Sequence, residues 1–345
     1  MPYDPTTDPA DLEACRRLLE DGSRSFLAAS RLLPPDIAQG AWSLYAFCRI
    51  ADDRVDRDAR GGAIEDLHER LERVYRGAPR EDAVDRSFAA FVARHALPRA
   101  WPLALFEGFA WDAQGRPYED ISALRAYAAR VAGSVGAMMA RAMGVSDRAV
   151  LARACELGVA MQLTNIARDV GEDALAGRLY LPRDWMREAG LDPDAWLARP
   201  GYSPALASVV RRLLEEADRR YRGAVLGIGS LPLLCRPGIR AAALLYCEIG
   251  RVIERDGFDS CSRRAVVARR RKLPLLAGAL LGAAPGGRGP LPPPPPEIDF
   301  LLESAGPLPA AGSRETSVDT LIRIFDRLER RDRGLESASA SGAGA

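Results

Sequence analysis

Lysine is almost missing from this 345-residue chain: it occurs once, at Lys272, and arginine supplies the remaining positive charge. Arginine and alanine are abundant together, a compositional bias that carries no function by itself. Acids and bases nearly cancel at a formal charge of +1, which argues against bulk electrostatic binding of nucleic acid. Histidine appears only as His68 and His95, and the six cysteines (Cys15, Cys48, Cys155, Cys235, Cys247, Cys261) form no CxxC pair. A zinc site is therefore not expected, and reduced thiols in a cytoplasmic protein are the simpler reading. No apolar run reaches the ~18 residues of a membrane-spanning helix, and the polar, acidic start from Met1 to Asp11 does not read as a signal peptide. Alternating β-branched runs are nearly absent as well, which removes the signal for strands.

What remains is helix. Segments rich in Ala, Leu, Arg and Glu repeat their apolar residues every three or four positions, and apolar residues at 48% suffice for a sizeable core. Gly and Pro punctuation predicts helices over 10–21, 24–32, 36–56, 63–76, 82–95, 99–113, 121–143, 147–173, 183–188, 203–229, 237–256 and 262–282. An all-α domain over 10–283 is expected. A Pro/Gly-rich linker over 284–317 follows, then a short charged helix over 318–334 and a disordered Ser/Ala/Gly tail over 335–345.

Two acidic clusters stand out within the helical part. Arg49, Asp52, Asp53 and Asp56 fall at i, i+3, i+4 and i+7, which puts Arg49, Asp52 and Asp56 on one helix face. Gln162, Asn165, Asp169 and Asp173 form a second stripe, with Glu172 beside it. Carboxylates in apolar helices are costly unless something neutralises them. Ion pairs to Arg54, Arg57 and Arg168 at helix ends would be one answer. The other is a pair of facing walls of oxygen ligands for Mg²⁺ or Mn²⁺, which commonly bind through a few carboxylates and substrate phosphates. Two clusters together, the second carrying Gln and Asn on its acidic stripe, favour the metal-diphosphate reading.

The motifs are also those of a known family. Ser23-Arg24-Ser25-Phe26, Leu44 to Arg49 running into Asp52-Asp53-Arg54-Val55-Asp56, and the second cluster continuing to Gly177-Arg178-Leu179-Tyr180-Leu181-Pro182 resemble the squalene/phytoene synthases. These are head-to-head prenyl synthases, and the similarity, over roughly residues 12–282, is greatest to bacterial phytoene-forming members. The resemblance implies an all-α isoprenoid synthase fold of the class I terpenoid type, with a large central cavity. It implies Mg²⁺ and diphosphate binding by Asp52, Asp56, Asp169 and Asp173, with Asn165 as a further metal ligand. Gln162, Ser25, Arg49, Arg168 and Arg263 would contact substrate, guanidinium forks being suited to phosphate oxygens.

Tyr127 and Tyr246 match family tyrosines near the reacting carbons; a satisfied core phenol is the other reading of each. Gly133 and Gly136 could let a prenyl chain lie on the helix backbone, or serve only close helix packing. The implied reaction is condensation of two geranylgeranyl diphosphates in carotenoid biosynthesis, with no NADPH expected. A dehydrosqualene, squalene or presqualene-type synthase using farnesyl diphosphate would keep the same motifs. A catalytically dead assembly factor would be expected to have lost some of these aspartates. Arg269-Arg270-Arg271-Lys272 before the apolar stretch Leu273–Leu281 suggests either peripheral contact with the inner membrane surface or a core helix with a charged start.

Overall fold

The computed structural model describes residues 7–58, 62–285 and 293–306, and among them there is no strand. The helices are α1 (Pro9–Gly22), α2 (Arg24–Ser30), α3 (Pro35–Asp56), α4 (Ala63–Tyr75), α5 (Ala83–His95), α6 (Ala100–Ala113) and α7 (Ile121–Ala128). They continue as α8 (Ser134–Ala142), α9 (Arg148–Leu175), α10 (Arg183–Glu188), α11 (Pro193–Ala198), α12 (Pro204–Ile228), α13 (Arg236–Arg255), α14 (Arg269–Leu280) and α15 (Asp299–Glu303). Short polar side chains fix many of the starts by accepting otherwise orphaned amides. Asp8, Ser23, Asp82, Asp120, Asp147, Asp192 and Ser203 each cap the helix that follows.

The two longest helices, α9 and α12, pack antiparallel through the middle of the bundle, tied by a 3.1 Å hydrogen bond between the Thr164 and Tyr221 hydroxyls. Glycines allow α8 and its approach to press against α9. A Cβ at Gly136 would lie 2.3 Å from the Ala154 carbonyl oxygen, and one at Gly158 2.2 Å from that of Ala132. Close helix packing is thus one role of Gly136, which also faces the central cavity.

Four departures from the sequence expectation bear on the site. The helix expected over 121–143 widens into a π-turn at Ala129–Gly133, which seats the Arg130 guanidinium between the rings of Trp111 (4.2 Å) and Phe300 (4.9 Å). The helix expected over 262–282 begins only at Arg269. Residues Gly257 and Phe258, both at positive φ, end α13 and start a loop, and its Ser260 carbonyl accepts the Gly171 amide at 2.9 Å. The short α11, capped by Asp192, has no counterpart among the expected helices.

The fourth concerns the segment read as a linker. Residues 296–303 are helical and docked, with Ile298 and Leu301 fully buried. Glu297 accepts from Arg125 at 2.9 Å and Ser122 at 2.7 Å, and the Trp101 indole donates to the Leu301 carbonyl at 2.9 Å. Proline-rich composition hid three core residues, Ile298, Leu301 and Leu302. The expected helix over 318–334 and tail over 335–345 lie outside the described residues.

If the 293–306 segment is part of the core, Leu301→Ala should cost about 2–4 kcal/mol, the scale of a buried leucine truncation. Urea denaturation measures this, and an unmoved midpoint would return the segment to the status of a linker.

Candidate active site

The C-terminal ends of α3 and α9 bring the two acidic clusters to one end of an elongated cavity. Asp52 and Asp56 stand on the last turns of α3, and Arg49 one turn earlier reaches Asp53 at 3.0 Å and Asp52 at 3.9 Å. On α9, Arg168 donates to its neighbour Asp169 at 2.7 Å. Gln162 and Asn165 line the cavity just below, together with Tyr246 of α13 and Tyr45 and Cys48 of α3. Gln162 and Asn165 of the second stripe thus share one wall of the cavity.

Between the two walls sits Asp112, at the end of α6. Its carboxylate accepts the Tyr127 and Tyr180 hydroxyls, each at 2.7 Å, and the Tyr118, Tyr127 and Tyr180 rings pack together around it. Its charge acts on both walls, raising the pKa of Asp52 and of Asp173. Arg178 also joins the walls: it donates to Asp56 at 2.6 Å, and its charge partly offsets the rise at Asp173.

The electrostatics show that the acids outweigh their partners. Partial burial, then the charge of Asp56, pushes the Asp52 carboxyl up to about 6. Burial and the charge of Asp169 push Asp173 up to about 7. Burial also raises Asp112, against the two tyrosine hydrogen bonds that lower it. Asp169 is the exception: burial works against its charge, but hydrogen bonds from Arg168 and Arg264 outweigh that and hold it below the ordinary carboxylate range. Uncompensated negative charge at a cavity mouth is an environment that a divalent cation would stabilise.

The donor set fits such an ion. It consists of hard oxygens, and the Asn165 Oδ1 is buried without a hydrogen-bond partner. Among the described residues no three His, Cys, Asp or Glu side chains converge tightly enough to cage a metal alone.

Two expected substrate contacts lie elsewhere. Arg263 points away, 61% exposed and 3.8 Å from Asp259, while its neighbour Arg264 reaches Asp169 at 2.8 Å and Glu172 at 3.1 Å. The reason is the loop that replaces the expected helix. It crosses α9 at Gly171, where a Cβ would lie 2.2 Å from the Cys261 carbonyl oxygen, and this register turns Arg264 inward. Ser25 does not join the acids either; its hydroxyl accepts from Lys272, the lone lysine, at 3.0 Å. Lys272 is held below its ordinary pKa by burial and then by the charges of Arg24 and Arg269.

Tyr127 is buried against this region through Asp112, and Tyr246 is partly buried in the cavity wall near Arg168. Asp112 escaped the sequence reading although the signal was there. It is a carboxylate in the largely apolar α6, marked by the same cost of buried charge that singled out the other clusters. Arg264 and Lys272 had no comparable signal.

Comparison with known proteins gives the family and the fold. A family model described as squalene/phytoene synthase matches residues 19–272. The phytoene synthase of Cereibacter sphaeroides is 48% identical over 342 residues, covering 94% of this chain and 96% of that protein. That of Rhodobacter capsulatus is 48% identical over 336 residues, covering 94% and 98%. A crystal structure of a dehydrosqualene synthase with ligand superposes at a TM-score of 0.71 with 28% identity, over 79% of this chain and 96% of that one. With acid-rich motifs on α3 and α9 facing one apolar cavity, and relatives of this identity along nearly its whole length, the chain belongs to the squalene/phytoene synthase family of prenyl-transferring enzymes.

Proposed function

We propose that the protein is a phytoene synthase, condensing two geranylgeranyl diphosphates head to head through prephytoene diphosphate, with release of both diphosphates. The observation that carries this is the polar rim of Asp52, Asp56, Asp169, Asp173 and Asn165 over a deep apolar cavity, in a chain 48% identical to named phytoene synthases. Cavity depth supports the longer substrate. Lining residues of α9 run from Asn165 to Val150, ~22 Å at 1.5 Å per residue. An extended geranylgeranyl chain is roughly 19 Å from carbon–carbon bond lengths, and a farnesyl chain roughly 14 Å.

Asp52, Asp56, Asp169, Asp173 and Asn165 would hold Mg²⁺, which when bound supplies Lewis-acid charge for diphosphate departure. Arg49, Arg168, Arg178 and Arg264 bind diphosphate oxygens as they exchange their carboxylate partners for phosphate. The apolar walls exclude water from the allylic cation left by ionisation, so the double bond of the second molecule captures it. Asp112 holds the phenols of Tyr127 and Tyr180 at the mouth, where their oxygens would face positive charge developing on the substrate. Rearrangement ends in proton loss, so electrons balance without a reductant.

No helix among the described residues is long and apolar enough to cross a membrane. Delivery of so apolar a product fits a cytoplasmic enzyme resting on the inner membrane. The surface of α14 supports this: Leu273 is 71% and Leu281, just beyond it, 88% exposed, beside Arg269 and Arg270.

Incubation with Mg²⁺ and geranylgeranyl diphosphate should yield phytoene with or without NADPH; product only from farnesyl diphosphate would overturn the substrate assignment. Asp52→Ala and Asp169→Ala should each lower kcat at least ~100-fold, the scale of removing a transition-state stabiliser, with the far-UV spectrum unchanged. Asp112→Asn keeps one acceptor and should lower kcat roughly tenfold, as expected for misplaced polar groups, with little change in Tm. Flotation with anionic vesicles should carry the protein at low salt, and Leu273→Ser with Leu281→Ser should abolish it.

A further inference from the structure

The far end of the cavity holds a charge that the chemistry at its mouth does not use. Arg153 is a cavity residue on α9, twelve positions before Asn165 and therefore ~18 Å along the helix from that residue, which lies just below the acidic rim. Its neighbours in the lining there include Met143 just after α8, Ile228 at the end of α12 and Leu231 beyond it. They mark the pole of the bundle opposite the carboxylates. Apart from this guanidinium, the surroundings are apolar.

Arg153 is held firmly. Its Nη1 lies 2.7 Å from an oxygen of Glu156, which is fully buried and is also approached by Arg220 at 3.4 Å. Arg220 in turn pairs with Glu216 at 3.0 Å and donates to the Pro293 carbonyl at 3.0 Å, tying this floor to the docked 293–306 segment. Two glycines of α12 make the seat. A Cβ at Gly227 would lie 2.6 Å from the Cβ of Arg153, and one at Gly223 would lie 2.8 Å from its Nη1.

We propose that Arg153, fixed by Glu156 and seated on Gly223 and Gly227, is the length gauge of the cavity, closing it to prenyl chains longer than geranylgeranyl. A farnesyl tail of roughly 14 Å stops short of Arg153, and a geranylgeranyl tail of roughly 19 Å meets it. A further isoprene unit would have to displace a paired guanidinium from its buried partner without replacing its hydrogen bonds, which is costly. This inference rests on the reading of the protein as a prenyl diphosphate synthase.

The test compares kcat/KM for farnesyl, geranylgeranyl and geranylfarnesyl diphosphates on the full chain, wild type against Arg153→Ala and Gly227→Ala. Arg153→Ala leaves Arg220 beside Glu156 and should raise the geranylfarnesyl-to-geranylgeranyl ratio about tenfold or more, the lower end of what one apolar increment is worth in a pocket. Gly227→Ala pushes Arg153 inward and should lower the geranylgeranyl-to-farnesyl ratio by a similar factor. A merely structural role would depress all three substrates together. Should Arg153→Ala fail to fold, Arg153→Val, which also shortens the side chain and removes its charge, provides the same readout. Ratios within about twofold of wild type in the folded Arg153 variants would overturn the gauge. A wild type that prefers farnesyl diphosphate would overturn the substrate assigned above, while the opposite movements of the two ratios would still uphold the gauge.

Discussion

Asp56 on α3 and Asp173 on α9 stand on opposite walls of the cavity mouth, and Arg178 and Asp112 lie in the field of both. Neither helix can shift without changing the charge balance on the other. The four arginines around the mouth neutralise part of the negative charge, and the carboxyls of Asp52 and Asp173 remain raised to about 6 and about 7. A bundle that packed these side chains only for stability would gain more from apolar residues of similar size. That excess of negative charge is what the proposed metal-diphosphate site requires.

The body of the bundle exists to hold those walls at the rim of a long apolar channel. The antiparallel pair α9 and α12 forms the rigid axis, and glycines let the π-turn and α8 lie within backbone contact of α9. The family match ends at residue 272, yet packing continues beyond it. The 293–306 segment buries Ile298 and Leu301 and places Phe300 on Arg130 of the π-turn, the same turn whose Val131 and Ala132 line the channel. Segments far apart in the chain thus converge on one channel wall.

Helical periodicity made most elements legible, and the cost of charge in apolar helices picked out both acidic walls from residue types and spacing alone. What escaped the sequence has physical causes. The π-turn adds one residue to a helical turn without changing its composition. The loop after α13 depends on Phe258 at positive φ, which a non-glycine residue does not announce, and that loop decides that Arg264 rather than Arg263 meets Asp169. Core residues of 293–306 follow a proline run whose composition reads as linker. Asp112 was legible by the same rule that found its neighbours, since a partly buried carboxylate at the end of a mostly apolar helix demands a partner.

The central claim is that the two acidic walls form one metal-diphosphate site. Calorimetric titration with an unreactive geranylgeranyl thiolodiphosphate, with and without Mg²⁺, tests it most directly. The account predicts tight binding only when both are present, lost on Asp52→Ala alone and on Asp169→Ala alone. Binding that survives removal of either wall, or that ignores Mg²⁺, would contradict it.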